Sequence, residues 1–333
     1  MKAAQKSVVH FLVTHPADIF YLTGLDLSGF WLVVAGKTQT VFAPTLLAGQ
    51  IRELLPEATV VVGDIMIDAL VKYCRDNGIK KLGTDFTKIS HGFAHSLAKN
   101  IPLENTAHFV ADRRIIKSPA EIKSIQRSCA IAIATFEQVR RLVRPGMTEI
   151  QIAFKIEEIF AKNNVRSSFT TIVAAGANTA NPHHISSTRK IAKNDIILID
   201  MGCLFNGYAS DLTRTFAIGK INYLYTAVYA AVSRAHRTAV RAVRPGITAK
   251  QVDGVARGII TQAGYGKEFI HSTGHGVGIE VHEPPRLSAR DATVLVAGMV
   301  VTVEPGVYLP GQFGVRIEDT VQITNSGRKV LTQ

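Results

Sequence analysis

The sequence predicts an α+β fold for its larger, C-terminal part and a smaller α/β domain ahead of it, and three observations carry that prediction. "VRPGMTEIQ", starting at Val143, returns as "VRPGITAKQ", starting at Val243. Each copy follows a long helical pattern and opens a second amphipathic helix. A strand-like segment trails each helix pair, "DIILIDMGCLFNGYASDLTRTFAIG" in the first half and "MVVTVEPGVYLPGQFGVRIEDTVQIT" in the second. Two such units predict an internally duplicated, pseudo-twofold domain whose helices pack on one face of an antiparallel sheet. A helix-ending "PG" is common by itself, but here it recurs in a shared context at the same place in each unit.

In the N-terminal part, short apolar runs ("FLVT", "FWLVVAG", "ATVVVG") alternate with helical patterns such as "IDALVKYCRDNG", the texture of an α/β domain. Its end is marked by "KSPAEIKSI". Ser118 is an N-cap, Pro119 occupies the first helical position and Glu121 the third, a capped helix start. The expected division is an N-terminal domain over residues 1–115, a linker at 112–118 and a C-terminal domain over 118–333.

With 333 residues, 47% hydrophobic and 19% charged, the chain can bury a core in each of two domains, and disorder is excluded. The longest apolar run, around "VLVAGMVVTV", is about half a membrane span. The opening "MKAAQKSVVHFLVTHPADIF" lacks a sustained apolar core with a small-residue cleavage site. A cytoplasmic protein without a membrane partner is therefore expected. Cys74, Cys129 and Cys203 are scattered and odd in number, which suits reduced thiols. The net charge of +12 and the helically spaced Arg234, Arg237, Arg241 and Arg244 raise nucleic acid as a partner. Without a nucleic-acid motif or interleaved aromatics, a solvated helix face is the simpler reading, and no nucleic-acid partner is expected.

The chemistry lies in the strands of the duplicated part. "ILIDMG" ends an apolar strand on Asp200, and "SDLTRT" supplies Asp211; "VTVEPG" ends a similar strand on Glu304, and "VRIEDT" supplies Glu318. Matching strands would bring four acids to the pseudo-twofold axis with little water around them. Ionised groups so buried must be protonated, paired with cations or bound to metal. Arg214 and Arg316 can pair with two of them, which leaves the charge unbalanced. Four carboxylates with one imidazole suit two divalent ions, Mn2+ or Co2+ first, with Zn2+ and Fe2+ as alternatives.

The imidazole is sought in "HSTGHGVGIEVHE", which places His271, His275 and His282 within thirteen residues of a chain with eleven histidines. Gly274, Gly276 and Gly278 oppose a helix there. A glycine-rich loop leading into a strand, with "VGIEVHE" alternating across it, fits better. His275 is the proposed ligand, with His271 and His282 on the substrate side. "GANTANPHHIS" holds His183 and His184 at the corresponding place in the first half, so that loop is expected to face the same cavity.

These residues resemble the metal-dependent pita-bread peptidases, the family of methionine aminopeptidase, aminopeptidase P and prolidase. The matching motifs are "IDMGCLFNGYASDLTRT", "HSTGHGVGIEVHEPP", "TVEPGVY" and "VRIEDT". The resemblance implies the pita-bread fold over about 118–333, with Asp200, Asp211, His275, Glu304 and Glu318 as ligands of two ions and Asp211 and Glu318 bridging them. The first part resembles a creatinase-type N-terminal domain through "HPADIFYLTGL", with Asp18 where that pattern usually has Asn. Asn194 stands where a turn glycine is common, and Asn tolerates the left-handed conformation. His271, His282 and Arg316 together are typical of the proline-specific branch. Creatinase shares the architecture but lacks the metal ligands.

The resemblance further implies hydrolysis of the bond preceding proline, in an Xaa-Pro dipeptide or a longer peptide, by a water that the two ions activate. Glu304 would take the proton from that water, His183 and His282 would hydrogen-bond the oxyanion or the departing imino nitrogen, and His271 with Arg316 would shape the pocket for the proline ring and its carboxylate. A homodimer is expected. The alternatives are a non-catalytic pita-bread binding protein and a related amide or C–N hydrolase.

Overall fold

The structure, a computed structural model, describes residues 9–107 and 109–333. The first eight residues, part of the stretch read above for an export leader, lie outside the described residues. The chain forms two compact units, one ending at Arg114 and the other spanning Ile115–Gln333.

The strands of the first unit are β1 (His10–Val13), β2 (Trp31–Ala35), β3 (Thr38–Ala43), β4 (Thr59–Val62), β5 (Leu82–Thr84) and β6 (Leu103–Asn105). They form one mixed sheet in the order β4-β3-β2-β1-β5-β6. Its helices are α1 (Pro16–Thr23), α2 (Thr45–Leu54), α3 (Met66–Asp76) and α4 (His91–Ala98), and a short α5 (Ala111–Ile115) lies at the unit boundary. Alternation along the strands sends Leu12, Val33 and Phe42 to the face covered by Leu70 and Leu97, and Val13, Leu32, Val34 and Val41 to the face covered by Ile19 and Ile51. Both faces are therefore buried, as α/β layering requires. Asp18 is buried in α1, where its Oδ1 accepts from Arg114 Nη1 at 2.6 Å.

The second unit begins with α6 (Pro119–Leu142) and α7 (Glu149–Lys162). Next come β7 (Arg166–Ser167), β8 (Ile172–Ala175), β9 (Ile196–Met201), β10 (Cys203–Phe205), β11 (Tyr208–Ala209) and β12 (Leu212–Ala217). Its other half has α8 (Tyr223–Ala242) and α9 (Ala249–Gln262). These lead to β13 (Gly274–Gly276), β14 (Glu283–Leu287), β15 (Val300–Val303), β16 (Gly306–Leu309), β17 (Phe313–Arg316), β18 (Asp319–Thr324) and β19 (Gly327–Val330). Each strand pairing in this unit is antiparallel, within sheets ordered β12-β9-β8, β14-β13-β15-β18-β19, β11-β10-β7 and β16-β17.

The duplication reaches the capping chemistry. Ser118 and Glu121 form a capping box on α6, and Thr148 with Gln151 and Thr248 with Gln251 form equivalent boxes on α7 and α9. Before each of the last two helices a left-handed glycine turns the chain: Gly146 (φ 93°) and Gly246 (φ 86°). Each donates its N–H to the strand-side chain at 2.9 Å, to Ile191 and Leu295 respectively. Two cores follow from this plan. Phe136, Ile152 and Ile156 pack on Ile199 and Leu212 in the first half; Val232, Val252 and Ala256 pack with Val301 and Val321 in the second. Asn194 is left-handed (φ 72°), as its side chain tolerates.

Two sequence expectations are refined. Residues 112–118, expected as a linker, hold the unit boundary but are helical to Ile115 and bury both Arg114 and Lys117. Residues 278–282 form bends rather than a continued strand. Glu283 folds back over this segment, accepts from Glu280 N at 3.1 Å and from buried Lys117 Nζ at 3.0 Å, and the loop closes around its carboxylate.

Candidate metal centre

The four acids sit at strand ends for a topological reason. Asp200 is one residue from the end of β9 and Asp211 immediately precedes β12; Glu304 immediately follows β15 and Glu318 immediately precedes β18. The β9–β12 and β15–β18 ladders pair Asp200 with Thr213 and Val303 with Asp319, so each half presents two carboxylates from adjacent strands. All four line one cavity of about 340 Å³, together with His271, His275, His282, His183 and Arg316. His184 does not join them. Its Nε2 lies 2.8 Å from the buried Glu149 carboxylate instead, while His183 of the same loop lines the cavity.

His275 is held on β13 by its two glycine neighbours. A side chain at Gly274 would collide with the Thr302 carbonyl, and one at Gly276 with the Pro284 carbonyl. His275 Nδ1 lies 3.0 Å from the Gly276 carbonyl, to which it donates, so Nε2 faces the acids at 3.2 Å from Glu304 Oε1 and 3.6 Å from Asp211 Oδ2. This is the usual arrangement of an imidazole whose remote nitrogen fixes the tautomer for ligation.

Charge is uncompensated here. Burial, then the charge of Arg316, Glu304 and neighbouring donors, act on Asp200, and burial prevails to raise its carboxyl. Asp211 and Glu318 are pushed well above the carboxylate range, first by burial and then by the other carboxylates. Glu304 is also pushed up by burial, but the hydrogen bond and charge of His275, with His271 and Arg316 behind it, overcome this and leave it depressed. His275 is raised in turn, its Glu304 partner outweighing burial. Protons therefore stand in for missing positive charge.

The donor atoms fit divalent cations. Asp211, His275 and Glu318 offer ligand atoms within 4.8 Å of one another. Asp200 Oδ1 and Glu318 Oε1 are buried without a hydrogen-bond partner among the described residues, a cost that a cation removes. The remaining oxygens are aimed: Thr213 Oγ1 donates to Glu318 Oε2 at 2.6 Å and Thr302 Oγ1 to Glu304 Oε1 at 3.2 Å.

Beside the acids runs a buried relay. Arg316 Nη2 donates to Asp200 Oδ2 at 2.7 Å, its Nη1 to Tyr308 Oη at 2.8 Å and its Nε to Thr213 Oγ1 at 3.1 Å. His271 Nδ1 donates to the Ser272 carbonyl at 2.8 Å, so its Nε2 accepts from Tyr308 O–H at 2.9 Å. Burial lowers His271, which keeps it neutral, and pushes Tyr308 up to about 12. His282 packs edge-on to His275 at 4.3 Å between centroids, and burial together with the charge of His275 lowers it. Tyr308 and Arg286, which also border this region, escaped the sequence reading. Tyr308 stands within the quoted "TVEPGVY", and Arg286 follows "VHEPP", four residues after His282.

Known proteins share this fold. The model of metallopeptidase family M24 matches residues 123–325, and that of the creatinase/prolidase N-terminal domain matches residues 1–116. An Xaa-Pro dipeptidase of Pyrococcus horikoshii is 38% identical over 99% of this chain and 94% of its own length. Among solved structures, an Xaa-Pro dipeptidase from Bacillus anthracis aligns with a TM-score of 0.94 at 33% identity, covering 98% of this chain and 93% of that one. An X-Pro aminopeptidase from Thermotoga maritima aligns with a TM-score of 0.88 at 31% identity, covering 98% and 96%. Similarity of this extent, running through both units, fixes the kinship: the chain belongs to metallopeptidase family M24 and carries a creatinase/prolidase N-terminal domain.

Proposed function

We propose that this protein hydrolyses the peptide bond preceding proline, releasing the N-terminal residue from Xaa-Pro dipeptides and Xaa-Pro peptides. The observation that carries the reading is the buried set of four carboxylates and one imidazole around a single cavity, in a chain whose full-length relatives include Xaa-Pro dipeptidases. Asp200, Asp211, His275, Glu304 and Glu318 would hold two divalent ions. Mn2+ or Co2+ suits this oxygen-rich set best, with Zn2+ and Fe2+ as alternatives. Ions held there supply Lewis-acid charge and acidify water.

The chain's own groups do the rest. Glu304, whose carboxyl is held ionised, accepts the proton of the attacking water and returns it to the proline nitrogen, which has no hydrogen of its own and departs only when protonated. His183 and His282 offer ring N–H groups from the exposed side of the cavity to the developing oxyanion. His271 is fixed at both nitrogens and presents its ring as a wall for the proline ring. Arg316 is committed to Asp200, Tyr308 and Thr213, so it orients a ligand, and recognition of the substrate carboxylate passes to the exposed Arg286. The complete donor set disfavours a non-catalytic binding protein.

The reading also includes a homodimer. A cytoplasmic setting is supported by three buried, unpaired cysteines. No helix among the described residues is long and apolar enough to cross a membrane.

The test is hydrolysis of Xaa-Pro and matched Xaa-Ala dipeptides by chelated protein before and after Mn2+ or Co2+ is restored. Metal-dependent release of the first residue from the proline substrate is expected. Absence of release, or equal rates on both, sinks the reading.

A further inference from the structure

Glu149 is a buried carboxylate that the chemistry above does not use. It stands in the first turn of α7, fully buried, and receives five donors. Oε1 accepts from Ala175 N at 2.8 Å and Asn178 Nδ2 at 2.9 Å; Oε2 accepts from His184 Nε2 at 2.8 Å, Ser187 Oγ at 2.6 Å and Ser187 N at 3.0 Å. Burial alone would raise such a carboxyl, yet these donors hold it below its ordinary value. The five flank His183 within the 175–187 segment, from Ala175 and Asn178 before it and from His184 and Ser187 after it.

The far side of the segment is fixed too. Gly314 of β17 donates to Thr179 Oγ1 at 2.8 Å, and a side chain at Gly314 would collide with the Thr179 carbonyl. Arg316 Nη1 reaches the Pro182 carbonyl at 3.4 Å. His183 itself is exposed, and its backbone N–H meets only Asn181 Oδ1 of its own turn, at 3.3 Å, among the described residues. Its place in the cavity is therefore set by what grips the segment on either side of it.

The second half repeats the device. Asp253 of α9 is buried, accepts from Thr273 N at 3.2 Å and Thr273 Oγ1 at 2.8 Å, and pairs with Arg257. Arg257 in turn donates to the Phe269 and His271 carbonyls at 3.0 and 2.8 Å. In each half, then, one buried acid on the second helix of the pair clamps the loop that delivers a cavity histidine.

We propose that Glu149, acting through His184 and Ser187, is the positioning residue for His183. The proposal rests on the role given to His183 above, and the experiment separates the two. Glu149→Gln turns one acceptor oxygen into a donor facing other donors. It should lower kcat by about tenfold or more, as a small misplacement of a working group does, with KM within about twofold. Bound metal should stay unchanged, because none of the five donors belongs to the ligand set. In a His183→Ala background the same substitution should cost nothing further. His184→Leu should copy it, and His184→Gln, which keeps an N–H donor, should restore kcat.

A spectroscopic arm reads placement without turnover: in metal-free, 15N-labelled protein the His183 ring resonances should shift toward those of free histidine in Glu149→Gln. If His183→Ala leaves kcat unchanged, the role of His183 falls while the ring resonances still test Glu149. If those resonances stay put, or the Glu149 and His183 losses multiply, the positioning proposal is overturned.

Discussion

Arg316 Nη2 lies 2.7 Å from Asp200 Oδ2, and this buried pair joins a strand of one half to a strand of the other across 116 residues of sequence. The guanidinium is also shared with Tyr308 and Thr213, so it balances charge and aims Asp200 at once. Removing one partner of a buried pair leaves an uncompensated charge, which costs about 3–5 kcal/mol. Arg316→Met should therefore destabilise the metal-free protein by about that amount, seen as a lower denaturation midpoint in urea. Arg316→Lys should recover little, because an ammonium cannot reach three partners with a planar fork. Full recovery by Lys would show that net charge alone matters there.

Metal-free stability should fall as pH rises, relative to the metal-loaded protein. Unfolded, Asp211 and Glu318 titrate near 3.8 and 4.5; folded without cations, burial and neighbouring carboxylates push both well above those values. Between the unfolded and folded values the folded chain holds protons that the unfolded chain has lost. Stability present below the unfolded values is thus lost as pH rises, at up to about 1.4 kcal/mol per pH unit for each group. Bound Mn2+ replaces those protons and cancels the loss. The gap in melting temperature between loaded and chelated protein should widen from pH 4 upward, and titration with Mn2+ at constant pH should release protons. A gap independent of pH would contradict the charge balance described for the cradle.

Ligands and non-ligands should separate cleanly. His275→Ala and Glu318→Ala should lose both bound metal and activity, measured by elemental analysis beside turnover. His183→Ala and His282→Ala should keep the metal and lose about 10²–10⁴-fold in kcat. Loss of metal in the second pair would move those histidines into the cradle.

The strands bearing the acids were legible because an acid within "ILID" or "TVE" leaves its burial uncompensated on the face of the sequence, and the helix pairs because amphipathic spacing and caps such as Ser118 with Glu121 are local. What escaped depends on distant partners. "VGIEVHE" alternates like a strand but bends, since the Glu283 carboxylate occupies the space beside Gly278 and is itself tied to Lys117, 166 residues away. The segment at 112–118 reads as a linker, yet the partners of Arg114 and Lys117 lie 96 and 166 residues distant. His184 and His183 are indistinguishable as adjacent letters. Glu149, 35 residues before His184, is what turns one of them away from the cavity.

Substrate length should be read by Arg286. A dipeptide carries its free carboxylate on the residue just past the bond being cut, so the group that recognises it must border the same cavity as the acids. Of the two arginines that line this cavity, Arg316 is buried and already shared among four protein groups, whereas Arg286 is exposed and close enough to His282 for its charge to lower that imidazole. A charge-assisted hydrogen bond to a carboxylate contributes about 1.5–3 kcal/mol, or about tenfold to a hundredfold in binding. Arg286→Ala should raise KM for Xaa-Pro dipeptides by that factor and leave kcat nearly unchanged, the pattern of an interaction equally strong in ground and transition states. The C-terminal amide of the same dipeptide, which has no carboxylate to offer, should be cleaved with a high KM by the parent protein and with the same KM by the variant. Steady-state kinetics on the acid and amide pair measures both. If the acid and the amide lose equally on substitution, Arg286 acts on the loop that holds His282, and the substrate carboxylate is read by another group.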